Sequence, residues 1–250
     1  MKTNKLTQKR DWDNNWKEIK LPQTIDIKHS TKSTRELDFI FHKFLKKDQN
    51  KQMIEIGCAP GTWLNYFHNK FKYRINGIEY TKEGYQSTIK NLKILETPGK
   101  IINDNFITHK FSKKYDIVFS MGFVEHFASP KSIIKKHLDI LDKNGYLIIE
   151  IPNLRYLNGF IEKIICNKKT IKSHNKNIMS LDFFDKVIEE NQLKKIYLGY
   201  IGSFNPFLFP IKQTPIVIII SVTIAKICDF FLKRSKFYST YILLIAQKNE

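Results

Sequence analysis

The amino-acid sequence predicts an α/β protein in which a largely parallel sheet carries helices on both faces. Three observations lead there. Short apolar runs of strand length alternate with segments whose apolar residues recur at helical spacing, a pattern that implies right-handed crossovers and a sheet covered on both sides. The first run, Met53 to Ile56, ends in Gly57-Cys58-Ala59-Pro60-Gly61, a tight turn that feeds a helix starting near Thr62. The second run, Tyr73 to Tyr80, closes on Glu79, 22 positions beyond Gly57, close to the spacing of about 20 at which a carboxylate accepts hydrogen bonds from ribose hydroxyls.

Residues 1–33 read as a polar leading arm, with Trp12 and Trp16 four apart on one helical face. The simpler expectation is that these rings staple the arm to the domain; the other is that the arm covers a bound ligand. Leu37, Ile40, Phe41 and Phe44 predict an amphipathic helix within 34–47. Strand one, at about 52–57, leads through the glycine turn to a helix bearing Trp63, Leu64, Phe67 and Phe71. Gly57 and Gly61 lack a Cβ and let backbone approach a ligand, while the new helix directs unpaired N–H groups to the same place. Strand two (73–80), a helix (81–92), strand three (100–103) and strand four (115–121) follow. Pro130 opens a helix whose face is Ile133, Ile134, Leu138 and Leu141, and Asn144-Gly145 is expected to end it before strand five, Tyr146 to Asn153.

At 250 residues with 42% hydrophobic content, the chain suits one well-filled core and not an extended disordered segment. The formal charge of +18 comes from 37 Lys and only 5 Arg. Arginine is the residue that grips phosphate with a planar fork, so its scarcity argues against a dedicated nucleic-acid binder. A coding bias spread over solvated faces accounts for much of the lysine, with attraction to an anionic partner as the other reading. Cys58, Cys166 and Cys228 are few, scattered and odd in number, which predicts neither disulfides nor a zinc site and fits a cytoplasmic protein. The first residues lack the apolar stretch of an export signal.

Glu55, Gly57 and Gly61, standing as acidic-x-Gly-x-x-x-Gly at the end of strand one and followed by Glu79, resemble the first motifs of the class I S-adenosylmethionine-dependent methyltransferases. That resemblance implies a Rossmann-like, seven-stranded, mostly parallel sheet of order 3-2-1-4-5-7-6 in a single domain, with S-adenosylmethionine as cofactor. It places a helix at 180–191, strand six at 193–201 and an antiparallel strand seven at 239–247, so that the domain comprises the arm, a core over 34–205, an insertion over 206–236 and a closing strand over 237–250. It further implies that Gly57, Cys58, Ala59 and Gly61 wrap the methionine part of the cofactor and that Glu55 supports that loop. Glu79, with Tyr80 beside it, would accept from the ribose, and Asp104 and Asn105 would meet the adenine, with Ser120 and Met121 closing the cofactor site. Glu125-His126 resembles the pair of small-molecule and quinone-type members, which makes His126 and Glu125 the catalytic candidates. Phe123 and His174 are candidates for substrate contact.

No metal site is expected, because Gly122 and Phe127 stand where a fuller ligand set would need Glu and His. Asn153 to Met179 reads as a long polar connection over the cleft. Pro215 to Ala225 is strongly apolar but stops at Lys226, too short for a membrane span. It is either a buried element completing the core or an interfacial helix whose Lys226, Lys233, Arg234 and Lys236 lie near lipid head groups. The expected function is methyl transfer, to oxygen ahead of nitrogen or carbon, on a small-molecule or lipid- or glycan-linked acceptor, in the cytoplasm or peripherally on the inner face of the membrane. One alternative is an RNA methyltransferase, since Cys-Ala-Pro-Gly-x-Trp resembles the first motif of ribose 2′-O-methyltransferases. The other is a non-catalytic cofactor-binding or membrane-scaffold protein.

Overall fold

The computed structural model describes residues 5–17, 19–209 and 214–249. Its helices are α1 (Lys9–Lys17), α2 (Lys32–Phe44), α3 (Thr62–Phe71), α4 (Lys82–Ile94), α5 (Pro130–Asp139), α6 (Tyr156–Ile165), α7 (Lys168–Lys172), α8 (Leu181–Glu190) and α9 (Pro215–Phe231). The strands are β1 (Gln52–Ile56), β2 (Arg74–Glu79), β3 (Gly99–Asn103), β4 (Tyr115–Met121), β5 (Leu141–Pro152), β6 (Lys194–Ile201) and β7 (Tyr241–Gln247). They form one sheet of order β3-β2-β1-β4-β5-β7-β6, parallel through β5 and antiparallel at both edges of β7. This is the order and direction that the resemblance implies.

Alternate residues of the central strands serve opposite faces, as the two-residue period of a strand requires. Met53, Ile117, Phe119, Ile148, Leu243 and Ile245 pack with Leu37, Ile40 and Phe41 of α2 and Phe67 and Phe71 of α3. Ile54, Val118, Leu147, Ile149, Leu244 and Ala246 pack on the other side with Ile133, Ile134 and Leu138 of α5 and Phe184 and Val187 of α8. Phe41 is fully buried and meets Trp63, Phe67 and Phe119 at centroid separations of 5.9, 5.1 and 6.4 Å, within the range at which aromatic rings attract one another edge to face. Local signals agree with the packing: Thr31 caps α2 by accepting from the Thr34 N–H, and Thr81 caps α4 by accepting from Gly84.

Two elements depart from the sequence expectations, and the structure removes one of the two readings of a third. The helix after Pro130 ends at Asp139 and not at Asn144-Gly145, because Leu141 is a buried residue of β5 paired with Tyr115. Leu141 follows Leu138 at a helical interval, so spacing could not tell the two roles apart; Asn144 (φ 58°) then sits in the irregularity before Tyr146 pairs with Ile117. The polar connection 153–179 is not open loop but holds α6 and α7. The apolar segment is helix α9, yet it does not complete the core: Ser221 is its one buried residue, while Ile216, Ile219, Phe230 and Phe231 are 66–84% exposed. It is held instead by polar contacts at its C-terminal end, where Lys32 Nζ donates to the Asp229 and Leu232 carbonyls and Ser203 Oγ to Asp229 Oδ1. No described helix is long and apolar enough to cross a membrane.

Phe41→Ala removes the ring around which α2, α3 and the sheet close. It is expected to lower unfolding free energy by about 3–5 kcal/mol, read as a drop in the denaturation midpoint at unchanged slope.

Candidate functional site

The carboxyl ends of the parallel strands converge on a cavity of about 380 Å³. Gly57 turns out of β1 at φ 72°, and a Cβ there would come within 3.0 Å of the Phe123 ring, so a side chain is excluded both by backbone conformation and by space. Gly61 (φ 85°) begins α3 after its N–H bonds the Cys58 carbonyl at 2.6 Å. Glu55 lies beneath this turn and accepts from the Leu64 N–H in the first turn of α3; burial, and next the charge of Glu79, hold its carboxyl well above the usual range. Cys58 also points away, its sulfur filling the space that a Cβ on Gly77 would take.

At the end of β2, Glu79 is 6% exposed and its Oε1 accepts from the Thr81 N–H at 2.8 Å and the Thr81 hydroxyl at 2.7 Å. These bonds, with the nearby Ala59 and Tyr80 N–H groups, partly offset burial, which still raises its pKa. Beyond β3, Asp104 accepts from the Asn105 N–H at 2.6 Å and pairs with His109 Nδ1 at 2.7 Å, and that partner holds it below the ordinary carboxylate range. Phe106 is buried behind it, edge-on to Phe123 at 5.8 Å.

Across the cavity, the one-turn segment Val124–His126 follows β4. Glu125 is 1% exposed, and its Oε2 has no hydrogen-bond partner among the described residues. Burial pushes its carboxyl up to about 8. His126 Nδ1 lies 2.8 Å from the Ser173 carbonyl. A carbonyl only accepts, so Nδ1 carries the proton and Nε2, 3.7 Å from Glu125 Oε1, keeps its lone pair. Burial and the adjacent His174 lower the ring to about 4, so it is neutral at pH 7. Glu150, near the end of β5, is 1% exposed with Oε1 likewise unpartnered among the described residues. Burial, then the charge of Glu125, raises its carboxyl well above the usual range.

Helix α1 forms a roof. Trp12 stacks on Trp16 at 6.5 Å and meets the His126 ring edge-on at 5.0 Å. The Leu6 N–H donates to the His126 carbonyl at 2.8 Å, and Lys5 lies 3.9 Å over the Tyr80 ring.

Of the residues singled out in the sequence, Gly57, Ala59, Glu79, Tyr80, Asp104, Asn105, Met121, Phe123, Glu125 and His126 line this cavity together. Glu55, Cys58, Gly61, Ser120 and His174 do not. Ser120 is fully buried and its hydroxyl faces His137 Nε2 at 3.2 Å. His174 lies on the far side of His126, with ring centroids 4.9 Å apart, and near Glu162. Sequence reasoning missed Glu150 and Tyr241, and it favoured the staple over the cover for Trp12 and Trp16, which line the cavity. Glu150 carried a signal, a lone carboxylate inside the apolar run Leu147 to Ile151. Among the described residues no group of three or more His, Cys, Asp or Glu is placed to hold a metal ion.

Comparison with known proteins agrees with the fold. A family described as methyltransferase domain matches residues 29–196. The ubiquinone biosynthesis O-methyltransferase of Shewanella sp. (strain ANA-3) is 26% identical over 176 residues, 66% of this chain and 72% of that protein. Phosphoethanolamine N-methyltransferase 2 of Haemonchus contortus, solved with S-adenosyl-L-methionine, superposes with TM-score 0.62 at 12% identity over 86% of this chain, which spans about half of that longer one (53%). Geranyl diphosphate C-methyltransferase of Streptomyces coelicolor A3(2) superposes with TM-score 0.63 at 11% identity over 96% of this chain and 97% of its own. At such identities the structural likeness speaks for the fold.

A carboxyl held protonated up to about 8 in the folded chain, against an ordinary 4.5, stabilises the fold fully below 4.5 and loses that contribution as pH rises through 8. Glu125→Gln should therefore show a smaller fall in Tm between about pH 5 and about pH 9 than the parent, measured by calorimetry.

Proposed function

This chain belongs to the methyltransferase-domain family, and from that premise we propose that it methylates a hydroxyl oxygen of a small, lipid-borne acceptor met at a membrane surface. It is an S-adenosylmethionine-dependent methyltransferase; the nature of the acceptor is our reading.

The residues present suit the cofactor. The cavity volume lies in the range of small-molecule sites, and Gly57 keeps its backbone bare at the turn. Glu79 offers a buried carboxylate for the ribose hydroxyls, and Asp104 and Asn105, which line the same cavity, would give an adenine edge polar partners. When bound, S-adenosylmethionine supplies a methyl group already activated by a sulfonium. The protein's part is alignment and exclusion of water: Phe106, Phe123 and Phe127 wall the cavity, and Trp12 and Trp16 cover it.

An acceptor hydroxyl reacts faster as its proton leaves. Of the two candidate bases, His126 near 4 is weak at neutral pH, and Glu125 near 8 is the stronger once ionised. We assign the base role to Glu125, with His126 holding the 173–174 turn against the site.

The observation that carries the lipid-borne acceptor is the concentration of exposed apolar side chains on α6 and α9. Leu157, Phe160, Ile164 and Ile165 on one helix, and Ile216, Ile219, Ile227, Phe230 and Phe231 on the other, are all 44% exposed or more. An apolar surface of this extent on a soluble face signals a partner. Helix α6 follows closely on the cavity: Pro152 lines it, and Tyr156, the first residue of α6, packs at 5.1 Å on Phe237, six residues beyond the end of α9. Lys226, Lys233 and Lys236 are exposed near the end of α9, which matches an anionic bilayer. The curated relative from Shewanella is named for O-methylation in ubiquinone biosynthesis, which fits a lipid-soluble acceptor.

Two outcomes test this reading. Glu79→Ala should weaken S-adenosylhomocysteine binding by about 10-fold or more in calorimetry, the loss of charge-assisted hydrogen bonds to the ribose; unchanged affinity would remove Glu79 from the cofactor site. With methyl-labelled cofactor and a bacterial membrane extract, label should enter the organic-soluble fraction, and the protein should sediment with vesicles containing phosphatidylglycerol. Label confined to water-soluble products and no vesicle binding would overturn the acceptor class.

A further inference from the structure

Two features of the cavity find no use in alignment alone. Glu125 and Glu150 are each 1% exposed, each leaves an oxygen without a partner among the described residues, and both line the same space. Glu150 is near the end of β5 and Glu125 lies in the turn just beyond the neighbouring β4: Met121 pairs with Glu150 in the β4–β5 register, and the Gly122 N–H donates to the Glu150 carbonyl at 3.0 Å. Two buried acids facing one cavity that Met121, Phe123, Pro152 and Tyr241 also line, the charge of one felt by the other, cannot both be charged unless a cation joins them.

The protein supplies no such cation at that end. No ion pair to a Lys or Arg among the described residues involves either side chain. Lys5 and Lys9 line the cavity at its other end, over the Tyr80 ring at 3.9 and 5.3 Å, and Lys5 answers to Glu79. His126 is neutral with its Nδ1 proton turned to Ser173, His174 lies behind it, Tyr241 is a neutral phenol whose proton burial and Glu150 hold more tightly, and Glu79 and Asp104 add only negative charge. Held protonated, the two acids need no cation, and one that lets the pair ionise must come with a ligand. A ligand fixed by Glu79 and the 104–106 segment occupies the β2 and β3 end, and the remaining cavity runs past Gly57 and Phe123 to the two carboxyls.

We infer that Glu125 and Glu150 act as one proton-exchange pair that reads the positive charge of the cofactor. S-adenosylmethionine, a permanent cation at sulfur, displaces a proton from the pair to solvent as it binds, whereas S-adenosylhomocysteine, neutral at that sulfur, enters with the proton retained. The inference rests on the reading of the cavity as the cofactor site. It gives the site a way to prefer the charged methyl donor over the spent product: when the methyl group leaves, the positive charge leaves too, the pair regains its proton, and the product loses the attraction that held the donor. The pair titrates as a unit, so neither residue alone owns the proton.

Calorimetry of the two ligands in buffers of different ionisation enthalpy at about pH 7.5 counts the protons released. Both ligands carry the same adenosine and amino-acid groups, so other linked protons cancel in the difference. The expected result is release of about one proton or less with S-adenosylmethionine and none in excess with S-adenosylhomocysteine, so that their affinity ratio rises with pH by up to about 10-fold per unit. In Glu150→Gln the difference should shrink while S-adenosylhomocysteine affinity stays within about 3-fold, which also reports that the variant folds. Equal proton counts for the two ligands in the parent would overturn the inference and leave the cofactor site standing. Failure of the parent to bind S-adenosylhomocysteine would overturn both.

Discussion

A buried corner where β2 ends holds the site together, and the site is built outward from that joint. Glu79 closes β2 and accepts from the backbone and hydroxyl of Thr81, and the Ile78 carbonyl just before it accepts from the Gly57 and Cys58 N–H groups in the turn after β1. The same Thr81 caps α4. These few bonds fix the positions of the glycine turn, the end of the second strand and the start of a helix. Glu79 takes its place there at the cost of its own solvation, which its hydrogen bonds partly offset. The β1–β2 register, with Ile56 opposite Ile78, is what brings the turn within reach.

The electrostatics of the cavity run against those of the molecule. The chain carries a formal charge of +18, yet the cavity gathers Glu79, Asp104, Glu125 and Glu150 against Lys5, Lys9 and the neutral His126. Surface lysines in water cost little and shape the field seen by distant partners. Buried acids are decided by the few atoms around them, and here those atoms are mostly aromatic or aliphatic.

Much of this was legible in the sequence because each signal was local. The strand ending in glycine, the acid closing the next run and the alternation of apolar residues all reflect constraints within a few positions. Three kinds of feature were not. Leu141 kept helical spacing with Leu138 although it belongs to a strand, because periodicity records spacing and not partners. Glu150 sat inside an apolar run, and only the fold shows that its side chain faces a cavity and not a neighbouring helix. Trp12 and Trp16 looked like packing aromatics, and they do pack, but against His126 and over the site. Helix α9 was left open between core and interface, because isoleucine density fits both; its inward side is Ser221 and Asp229 and its outward side is apolar.

The reversal of β7 has an architectural consequence. Because β7 runs antiparallel between β5 and β6, the chain leaving β6 and the chain entering β7 emerge at the same rim as the cavity. The described residues between Gly202 and Thr240 are thus slotted in at that rim, joined to the body through two adjacent posts. Phe209 still packs into the core and Ser203 ties the segment to Asp229, but the exposed side chains of α9 lie outside that core, so the chemistry of the doorway can change there while the donor-binding half stays as it is.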